Sequence, residues 1–470
     1  MFTISALGLT AFVLCYLLTP LCRDLALRFH LVDKPDNVRK LHETPIPRLG
    51  GVAIAIAYAG SLATAFLLTP ANEKIYVRHH EILLALIPAT AIIFVTGLLD
   101  DLVDLRPWQK LTGQLAGAGV AIGLGRHFAP HDLVLTAQHS ILASPWLNYP
   151  LSIIWLLGCS NAVNLIDGLD GLATGVGILA TVTTMVAGLL SGNVGLVLAT
   201  APLVGCLLAF LRYNFNPASI YLGDSGSLTI GFMLGCLGLV WGQRSGTLLG
   251  MAAPMMALAL PLMDVGLAIC RRCLRRVPIM SGDRSHIHHI MLARGFRTKD
   301  TAIILYGVCA LAASLALMQS FSGLYLHIPV ILIFVFLTWV GVRSLNYIEF
   351  NAVRRVLSGK NIMGRLKEEI YLTDLDRSLA QARTIQRSWT VVCKACEELH
   401  VATVHMHIGS EHFETVFPHS GAGQEWKITV PLGEDGQLTL SHFGTQKPSK
   451  LMMPVLDRLQ NALGGPLGQD

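Results

Sequence analysis

The first 345 residues of this 470-residue chain are dominated by about eleven apolar segments, most of them near the length that crosses a bilayer as a helix. Hydrophobic residues make up 53% of the chain and charged residues only 14%, which excludes an ordinary soluble enzyme. Because backbone polar groups in lipid must bond internally, the pattern predicts an all-α polytopic membrane protein. The segments are 3–20, 50–69, 81–99, 113–128, 150–163, 171–190, 194–211, 226–241, 247–269, 301–319 and 322–342.

The distribution of basic residues predicts the orientation of the chain. Nearly all loop arginines and lysines follow the first, third, fifth, seventh and ninth segments. The positive-inside rule places those loops in the cytoplasm. We therefore expect a multi-pass protein with its N-terminus outside and its C-terminus in the cytoplasm. Basic residues arranged in this way report orientation, so no nucleic-acid partner is expected.

The composition becomes charged and mixed after Val342, which predicts two domains, 1–345 in the membrane and 346–470 in the cytoplasm. Spaced Leu and Ile among charges over 352–385 indicate an amphipathic helix. Alternation over 401–443, with a Gly-Glu-Asp-Gly turn between two strand-like runs, indicates strands. We expect a small α+β domain whose role the sequence leaves open, with a regulatory or partner-docking module as the hypothesis.

The first polar cluster is "GLLDDLVDLRPWQK", which brings Asp100, Asp101 and Asp104 to the end of the third segment, ahead of Lys110. Carboxylates at a membrane boundary are costly to desolvate, so a cation or a substrate is the usual reason for them. Lys110 can neutralise them or meet a phosphate. A solvated helix end is the alternative.

The second cluster is "NAVNLIDGLDGLATG", in which Asn161, Asn164, Asp167 and Asp170 follow one another at steps of three. On a helix these steps place amides and carboxylates along one side. The result is a polar edge suited to a metal, a ribose or a uracil. A turn rich in Asx and Gly would give the same letters.

Two further motifs lie later in the chain. Asp224 stands in "YLGDSGSLTIGF" just before an apolar segment, where it can hold Mg²⁺ against a pyrophosphate or act only as a helix cap. Arg284, His286, His288 and His289 stand in "GDRSHIHHIML". Imidazoles beside a guanidinium can bind phosphate or assist proton transfer, and zinc is the alternative ligand.

The fifth motif is "DKPDNVRKLHETPIPRLGG", which offers Lys40, His42 and Arg48 to a lipid phosphate, or else only determines topology. All five motifs fall on the predicted cytoplasmic side. Together they predict a site for Mg²⁺, a nucleoside diphosphate sugar and a lipid phosphate.

These motifs, in this order over roughly residues 1–345, resemble those of the polyprenyl-phosphate N-acetylhexosamine-1-phosphate transferases. That family includes enzymes that begin peptidoglycan lipid, O-antigen and teichoic acid linkage synthesis in bacteria. The "SHIHH" form looks like the branch that uses UDP-N-acetylglucosamine, with the muramoyl-pentapeptide branch as the alternative. The resemblance implies a bacterial inner-membrane enzyme of cell-wall or lipopolysaccharide synthesis.

The resemblance also implies roles for individual residues. The expected catalytic residues are Asp100, Asp101, His286, His288 and His289. The expected substrate-binding residues are Lys40, His42, Arg48, Lys110, Asn161, Asp170 and Arg284. The expected metal ligands are Asp224, with Asn164 or Asp167.

The implied reaction is transfer of a sugar 1-phosphate from a UDP-sugar to undecaprenyl phosphate, with release of UMP and with Mg²⁺, or Mn²⁺, as cofactor. A phosphate monoester has a second pKa of about 6 and is mostly ionised at neutral pH. Asp100 or Asp101 is therefore expected to position the nucleophile or metal, while a base role and an aspartyl-phosphate intermediate stay open.

Two other classes of membrane protein, a transporter and a receptor, are the alternatives to an enzyme. A transporter predicts charges near the bilayer midplane, whereas these acids cluster at segment ends. In the tail, Cys393, Cys396, His405 and His407 have zinc-like spacing, but packed thiols and a strand's alternating histidines are the favoured reading. The sequence leaves open a homodimer and a regulatory partner at the C-terminal domain.

Overall fold

The computed structural model of the protein divides into two compact units, each formed from two stretches of chain. The first comprises Met1–Cys270 and Ile279–Gly341, and the second comprises Arg271–Pro278 and Val342–Asp470. The structure describes residues 2–29, 31–33, 46–68, 81–128, 145–242, 248–275, 286–321, 324–345, 362–382, 384–399, 401–409, 411–417, 425–432, 436–443 and 451–463.

The first unit is a bundle of long helices. Its helices are α1 (Phe2–Arg28), α2 (Gly50–Leu68), α3 (Glu81–Val103), α4 (Pro107–Phe128), α5 (Pro145–Ile166), α6 (Leu172–Ser191), α7 (Val194–Asn214), α8 (Gly223–Gly242), α9 (Ala252–Ala257), α10 (Ala259–Arg275), α11 (Ile287–Ala293), α12 (Thr298–Phe321) and α13 (Leu324–Ser344). The last residues of α10 and α13 belong to the second unit. A 3-10 turn, Leu248–Met251, precedes α9. The short strands β1 (Val32–Asp33) and β2 (Ile46–Pro47) pair antiparallel.

Nine of the described helices are long and apolar enough to cross a membrane: α1, α2, α3, α5, α6, α7, α8, α12 and α13. The predicted polytopic helical architecture is confirmed, but the count of eleven is not. The segment 113–128 lies in α4, which is not among the nine and carries polar residues that include Gln109, Lys110 and Gln114. It nevertheless runs antiparallel along α3, with Gly113 beside Thr96 and Gly117 beside Ile93.

The segment 247–269 was predicted as one span, and a single unbroken helix there is not confirmed. The chain there forms the 3-10 turn, α9 and the start of α10, with a break at Leu258. Pro261 explains the position of the break, because it has no N–H to donate to the carbonyl of Ala257 and is tolerated in the first turn of a new helix.

Helix α8 lies at the centre of the first unit. It packs against α2, α3, α5 and α6, and every residue from 225 to 242 is buried. Its first two residues, Gly223 and Asp224, are only half-buried. The helix is therefore enclosed by protein along its length and open at the end that carries Asp224.

Close packing at this end depends on Gly97 of α3. A Cβ built at Gly97 would lie 2.5 Å from the carbonyl oxygen of Asp224, so no larger residue fits without displacing the start of α8. We expect Gly97→Ala to lower the free energy of unfolding by about 1–3 kcal/mol, the usual cost of overpacking. Thermal unfolding in detergent measures this change.

A matched control for that substitution is Gly119→Ala in α4, because a Cβ there meets no atom within 4 Å. Alanine also has a higher helix propensity than glycine, so the control variant should be at least as stable as the wild type. Equal unfolding midpoints for the two variants would contradict the proposed packing.

The second unit has the predicted α+β fold. Helices α14 (Ile362–Gln381), α15 (Ile385–Glu398) and α16 (Met452–Leu463) form a hydrophobic core with an antiparallel sheet. The sheet order is β4-β3-β6-β5, from the strands β3 (Thr403–Ile408), β4 (Glu411–Val416), β5 (Glu425–Pro431) and β6 (Gly436–Phe443). The predicted amphipathic helix over 352–385 corresponds to α14, and its residues 352–361 lie outside the described part.

The tail cysteines and histidines lie on different sides of β3. Cys396 is in the core with Val404 and Met406, whereas His405 and His407, which alternate with them, face the other side of the sheet. His407 stacks on His412 of β4 with ring centroids 4.2 Å apart. This placement separates the thiol of Cys396 from both imidazoles, as expected for a packed thiol.

Candidate active site

An ammonium group joins carboxylates from two helices. Asp100 lies near the C-terminal end of α3 and Asp224 in the first turn of α8. Lys110 of α4 donates to Asp100 Oδ2 at 3.0 Å and also to Asp224 Oδ2. The second oxygen of Asp100 accepts the N–H of Leu105 at 2.8 Å, which closes the turn between α3 and α4. The ends of three helices therefore meet at one charged cluster.

Asp101 binds the start of α8 through its carboxylate. Its Oδ1 accepts the backbone N–H of Asp224 at 2.7 Å, and its Oδ2 accepts that of Ser225 at 2.9 Å. The first N–H groups of a helix have no partner within the helix, and a carboxylate there also interacts favourably with the helix dipole. Asp101 was predicted as catalytic; the structure gives it the geometry of a helix cap supplied by a neighbouring helix.

Asn164 connects α5 to the same cluster. Its Nδ2 donates to Asp224 Oδ1 at 3.0 Å and to Ser227 Oγ at 2.9 Å. Asp167 follows one residue after the end of α5 and is partly exposed. Its pKa is raised well above the usual range, first by removal from water and then by repulsion from Asp224 and Asp101, while Arg48 opposes the shift. The predicted metal-binding residues thus share one electrostatic environment.

The helical arrangement predicted for the steps of three does not continue beyond Ile166. Residues 167–171 form a turn, in which Gly171 has a φ of 75°. Asn161 and Asp170 therefore do not lie along one side of a single helix. The two D-G pairs of "IDGLDG" are the sequence signal for this turn.

Asn161 and Asp170, the first and last of the four residues spaced by three, both form hydrogen bonds within the protein. Asn161 and Gln114 exchange two amide hydrogen bonds, at 2.8 and 3.1 Å. Asp170 Oδ2 accepts from Asn216 Nδ2 at 2.8 Å and from the N–H of Ala218 at 3.0 Å. These contacts brace α4 against α5 and the 167–171 turn against the segment after α7. Direct substrate binding by Asn161 and Asp170 stays a prediction.

The histidines lie against the same turn. His286 precedes α11, and His288 and His289 are in its first turn, with the rings of His288 and His289 4.2 Å apart. A Cβ built at Gly168 would lie 2.8 Å from His288 Nε2, so this imidazole abuts the residue that follows Asp167. The structure thereby places His288 beside the turn that carries Asp167, whose carboxyl group interacts electrostatically with Asp224.

Burial gives His288 a distinct pH dependence. Removal from water, with a smaller contribution from repulsion by His289, lowers the pKa of His288 to about 3. An unfolded histidine has a pKa of about 6.5, so between these values the unfolded state binds more protons and stability falls as the pH is lowered.

We expect the unfolding midpoint of the wild type to fall more steeply between pH 6.5 and pH 4 than that of His288→Asn, because every other titrating group is common to both. Thermal unfolding at several pH values measures the two slopes. Parallel curves would show that His288 is not buried in its neutral form.

Three predicted substrate-binding residues, Lys40, His42 and Arg284, lie outside the described residues. Arg48 is described: its carbonyl oxygen lies next to Gly223, and its charge acts on Asp167. The residues that sequence reasoning did not single out are Gln114, Ser227 and Asp264. Asp264 had a signal, since it is an acidic residue within an apolar segment.

The donor atoms around Asp224 suit a hard divalent cation. Carboxylate and amide oxygens from Asp224, Asp167 and Asn164 are ligands that Mg²⁺ prefers. Lys110 also donates to Asp224, and to Asp100, so a cation bound at Asp224 would share that carboxylate with the ammonium group. Among the described residues no three His, Cys, Asp or Glu side chains form a complete ligand set. Mg²⁺ usually takes few protein carboxylates and completes its shell with water and phosphate, so it does not require such a set.

Comparison with known proteins identifies the family. A family model described as glycosyl transferase family 4 matches residues 83–242. The probable undecaprenyl-phosphate N-acetylglucosaminyl 1-phosphate transferase of Bacillus subtilis (strain 168) is 32% identical over 319 residues, which cover 68% of this chain and 86% of that relative. The chain belongs to glycosyl transferase family 4. The family predicted from the motifs is thus confirmed.

Other members of glycosyl transferase family 4 match over a similar length. The decaprenyl-phosphate N-acetylglucosaminephosphotransferase of Mycobacterium leprae (strain TN) is 32% identical over 66% of this chain and 83% of its own length. The undecaprenyl-phosphate alpha-N-acetylglucosaminyl 1-phosphate transferase of Escherichia coli (strain K12) is 26% identical over 68% of this chain and 85% of its own length. Bacterial relatives and the apolar helices together indicate a multi-pass membrane protein.

Proposed function

We propose that this protein transfers N-acetylglucosamine 1-phosphate from UDP-N-acetylglucosamine to undecaprenyl phosphate and releases UMP. The observation that carries the proposal is the convergence of Asp100, Lys110, Asn164 and Asp224 at the ends of four helices. The names of the relatives support the polyprenyl acceptor and the N-acetylglucosamine 1-phosphate group. The product is the first lipid-linked intermediate of an envelope polysaccharide.

In the proposed reaction an oxygen of the lipid phosphate attacks the phosphorus attached to the sugar. The bond from that phosphorus to the bridging oxygen breaks, and the electron pair leaves with UMP. Since a phosphate monoester with a second pKa of about 6 is already mostly ionised, the enzyme's task is positioning and charge stabilisation more than proton removal.

Different residues of the site serve positioning and charge stabilisation. Lys110 provides a positive charge for the phosphates that meet beside Asp100. Asp101 keeps the start of α8, and with it Asp224, in place through two backbone hydrogen bonds. His288 lies against Gly168 in the 167–171 turn, and in this proposal His286, His288 and His289 contact the donor's diphosphate and sugar.

Mg²⁺ is part of the proposal, held by Asp224 with Asn164 or Asp167. When bound, it would stabilise negative charge on the diphosphate and on the leaving UMP. Mn²⁺, which takes the same oxygen ligands, is the alternative ion.

We further propose that the site faces the cytoplasm from the inner membrane, since in the sequence the loops rich in arginine and lysine follow the same apolar segments as the acidic residues of the site. Cytoplasmic UDP-sugars then reach it directly. In a background where the exposed thiols Cys270 and Cys273 are replaced by serine, a cysteine placed at Arg106, an exposed residue at this end, should react with a membrane-impermeant thiol reagent only in inverted vesicles.

The test of function uses the purified full-length protein in nanodiscs with labelled UDP-N-acetylglucosamine, undecaprenyl phosphate and Mg²⁺. We expect equal amounts of UMP and lipid-linked sugar diphosphate, and no turnover without the lipid or with a chelator. Release of UDP in place of UMP would contradict sugar-1-phosphate transfer. UDP-N-acetylmuramoyl-pentapeptide, offered in parallel, tests the other branch of the family.

A further inference from the structure

Asp264 is a buried carboxylate that the proposed reaction does not use. It lies in α10, within the apolar stretch that precedes the histidines in the sequence, and only 1% of its surface is exposed. A buried charge is costly unless it is paired and hydrogen-bonded. What Asp264 contacts therefore indicates why an acid is present there.

Both oxygens of Asp264 bind the start of α11. Oδ2 lies 2.9 Å from His286 Nδ1, and Oδ1 accepts the backbone N–H of Ile287 at 3.0 Å. These contacts join α10 to α11 across 22 residues of sequence. One contact anchors the backbone, and the other acts on the imidazole.

The contact with the imidazole selects a tautomer. A carboxylate can only accept hydrogen bonds, so the Nδ1 of His286 must carry the proton, and its Nε2 is left as an acceptor in the neutral ring. The rings of His286 and His288 are nearly parallel, at 5°, with centroids 5.9 Å apart. Within the described residues, His288 Nε2 is buried and has no hydrogen-bond partner. Two imidazoles are thus held in a fixed relative orientation beside Gly168.

We propose that Asp264 is a positioning residue of the transfer site, which fixes His286 in the Nδ1–H tautomer and orients it, together with His288, toward the donor's diphosphate. This inference rests on the proposed function. Asp264 does not touch substrate; it acts through His286.

Asp264→Asn separates the two contacts. The amide oxygen of asparagine can still accept the N–H of Ile287, but its NH₂ group then faces His286 Nδ1 and forces the ring into the other tautomer. We expect kcat and kcat/KM to fall together by roughly 10- to 100-fold, as on loss of a carboxylate that orients a functional histidine, while KM for the UDP-sugar and the unfolding midpoint stay near wild type. Asp300→Asn, an exposed acid in the first turn of α12, is the matched control and should keep full activity.

A double-mutant cycle distinguishes positioning from a purely structural role. His286→Asn retains a donor to Asp264 in place of Nδ1 but lacks the atom in the Nε2 position. If Asp264 acts through His286, then Asp264→Asn in the His286→Asn background should cause no further loss beyond about 3-fold. Multiplicative losses would overturn the proposal, as would an Asp264→Asn enzyme with wild-type kcat.

Two further outcomes are decisive. If Asp264→Asn does not fold, His286→Asn alone tests the inference, because it preserves the anchoring contact; full activity in that variant overturns the proposal. Wild-type protein assayed in the same nanodiscs separates this result from a failure of the proposed function: an inactive wild type refutes the function, and an active wild type with an unaffected variant refutes only the role of Asp264.

Discussion

Asp224→Asn is expected to reduce UMP release by about 10²- to 10³-fold, the usual effect of removing one group that stabilises charge in a transition state. Asp224 is where Lys110 and Asn164 meet, so the substitution removes the negative charge from the centre of the site. Lys110 keeps its bond to Asp100 at 3.0 Å, so the ammonium is not left unpaired. The unfolding midpoint should therefore change little.

The measurement is UMP release by wild type and variant at matched protein concentration, with Mg²⁺ titrated in both. The control is Asp24→Asn, which makes the same chemical change in an exposed ion pair of α1 and should retain full activity. An active Asp224→Asn enzyme would remove Asp224 from the metal site while leaving the transfer reaction itself intact.

Asp101→Ala is expected to lower both stability and activity. Two backbone N–H groups at the start of α8 would lose their acceptor, and each unpaired buried group costs about 1–3 kcal/mol, so the free energy of unfolding should fall by about 2–6 kcal/mol. Activity should fall in parallel, because the segment that loses its cap carries Asp224.

Asp101→Asn decides between a cap and a general base. Asparagine offers one acceptor oxygen for two N–H groups, so as a cap it should show an intermediate loss of stability. A base would instead lose about 10²- to 10⁴-fold in rate with unchanged stability. Asp104→Asn, three residues further on and exposed, is the matched control, since asparagine tolerates its positive φ of 50°.

The sequence was informative wherever a local pattern carried the signal. Hydropathy predicted the membrane helices because a spanning helix needs an apolar run whatever its neighbours are, and alternation in the tail predicted strands. Asp100, Lys110 and Asp224 were singled out from two separate motifs, because charged groups at membrane boundaries are rare without a partner, and the structure places the three side chains in contact.

The structure differs from the sequence-based predictions where two local signals in the sequence conflict. The segment 247–269 passes a hydropathy test, yet Pro261 divides it. The spacing of Asn161, Asn164, Asp167 and Asp170 suggests a helix, yet two D-G pairs end it at Ile166. In both cases the backbone preferences of Pro and Gly outweighed side-chain periodicity.

Tertiary partners could not be predicted. Nothing local to Asp101 indicates that its carboxylate caps a helix 123 residues away, and nothing local to Asp264 indicates that it binds His286. Such pairs depend on how helices pack, which one sequence does not state. The assignment of Asp101 to catalysis came from its neighbour Asp100, and stays a prediction until the variants are measured.

The complete burial of α8 affects how the two proposed substrates, a polyprenyl lipid and a nucleotide, would reach the site. A hydrocarbon chain dissolved in the bilayer finds no exposed side of this helix between residues 225 and 242. Among the described residues, Val103 and Trp108 next to the charged cluster expose 64% and 59% of their surfaces, so an apolar chain could approach Asp224 at this end of the helix. In the proposed reaction the nucleotide would enter from water and would need no such apolar border. Substitutions at Val103 and Trp108 should therefore weaken inhibition by analogues of the polyprenyl phosphate. Substitutions at the histidines should instead weaken inhibition by analogues of the nucleotide.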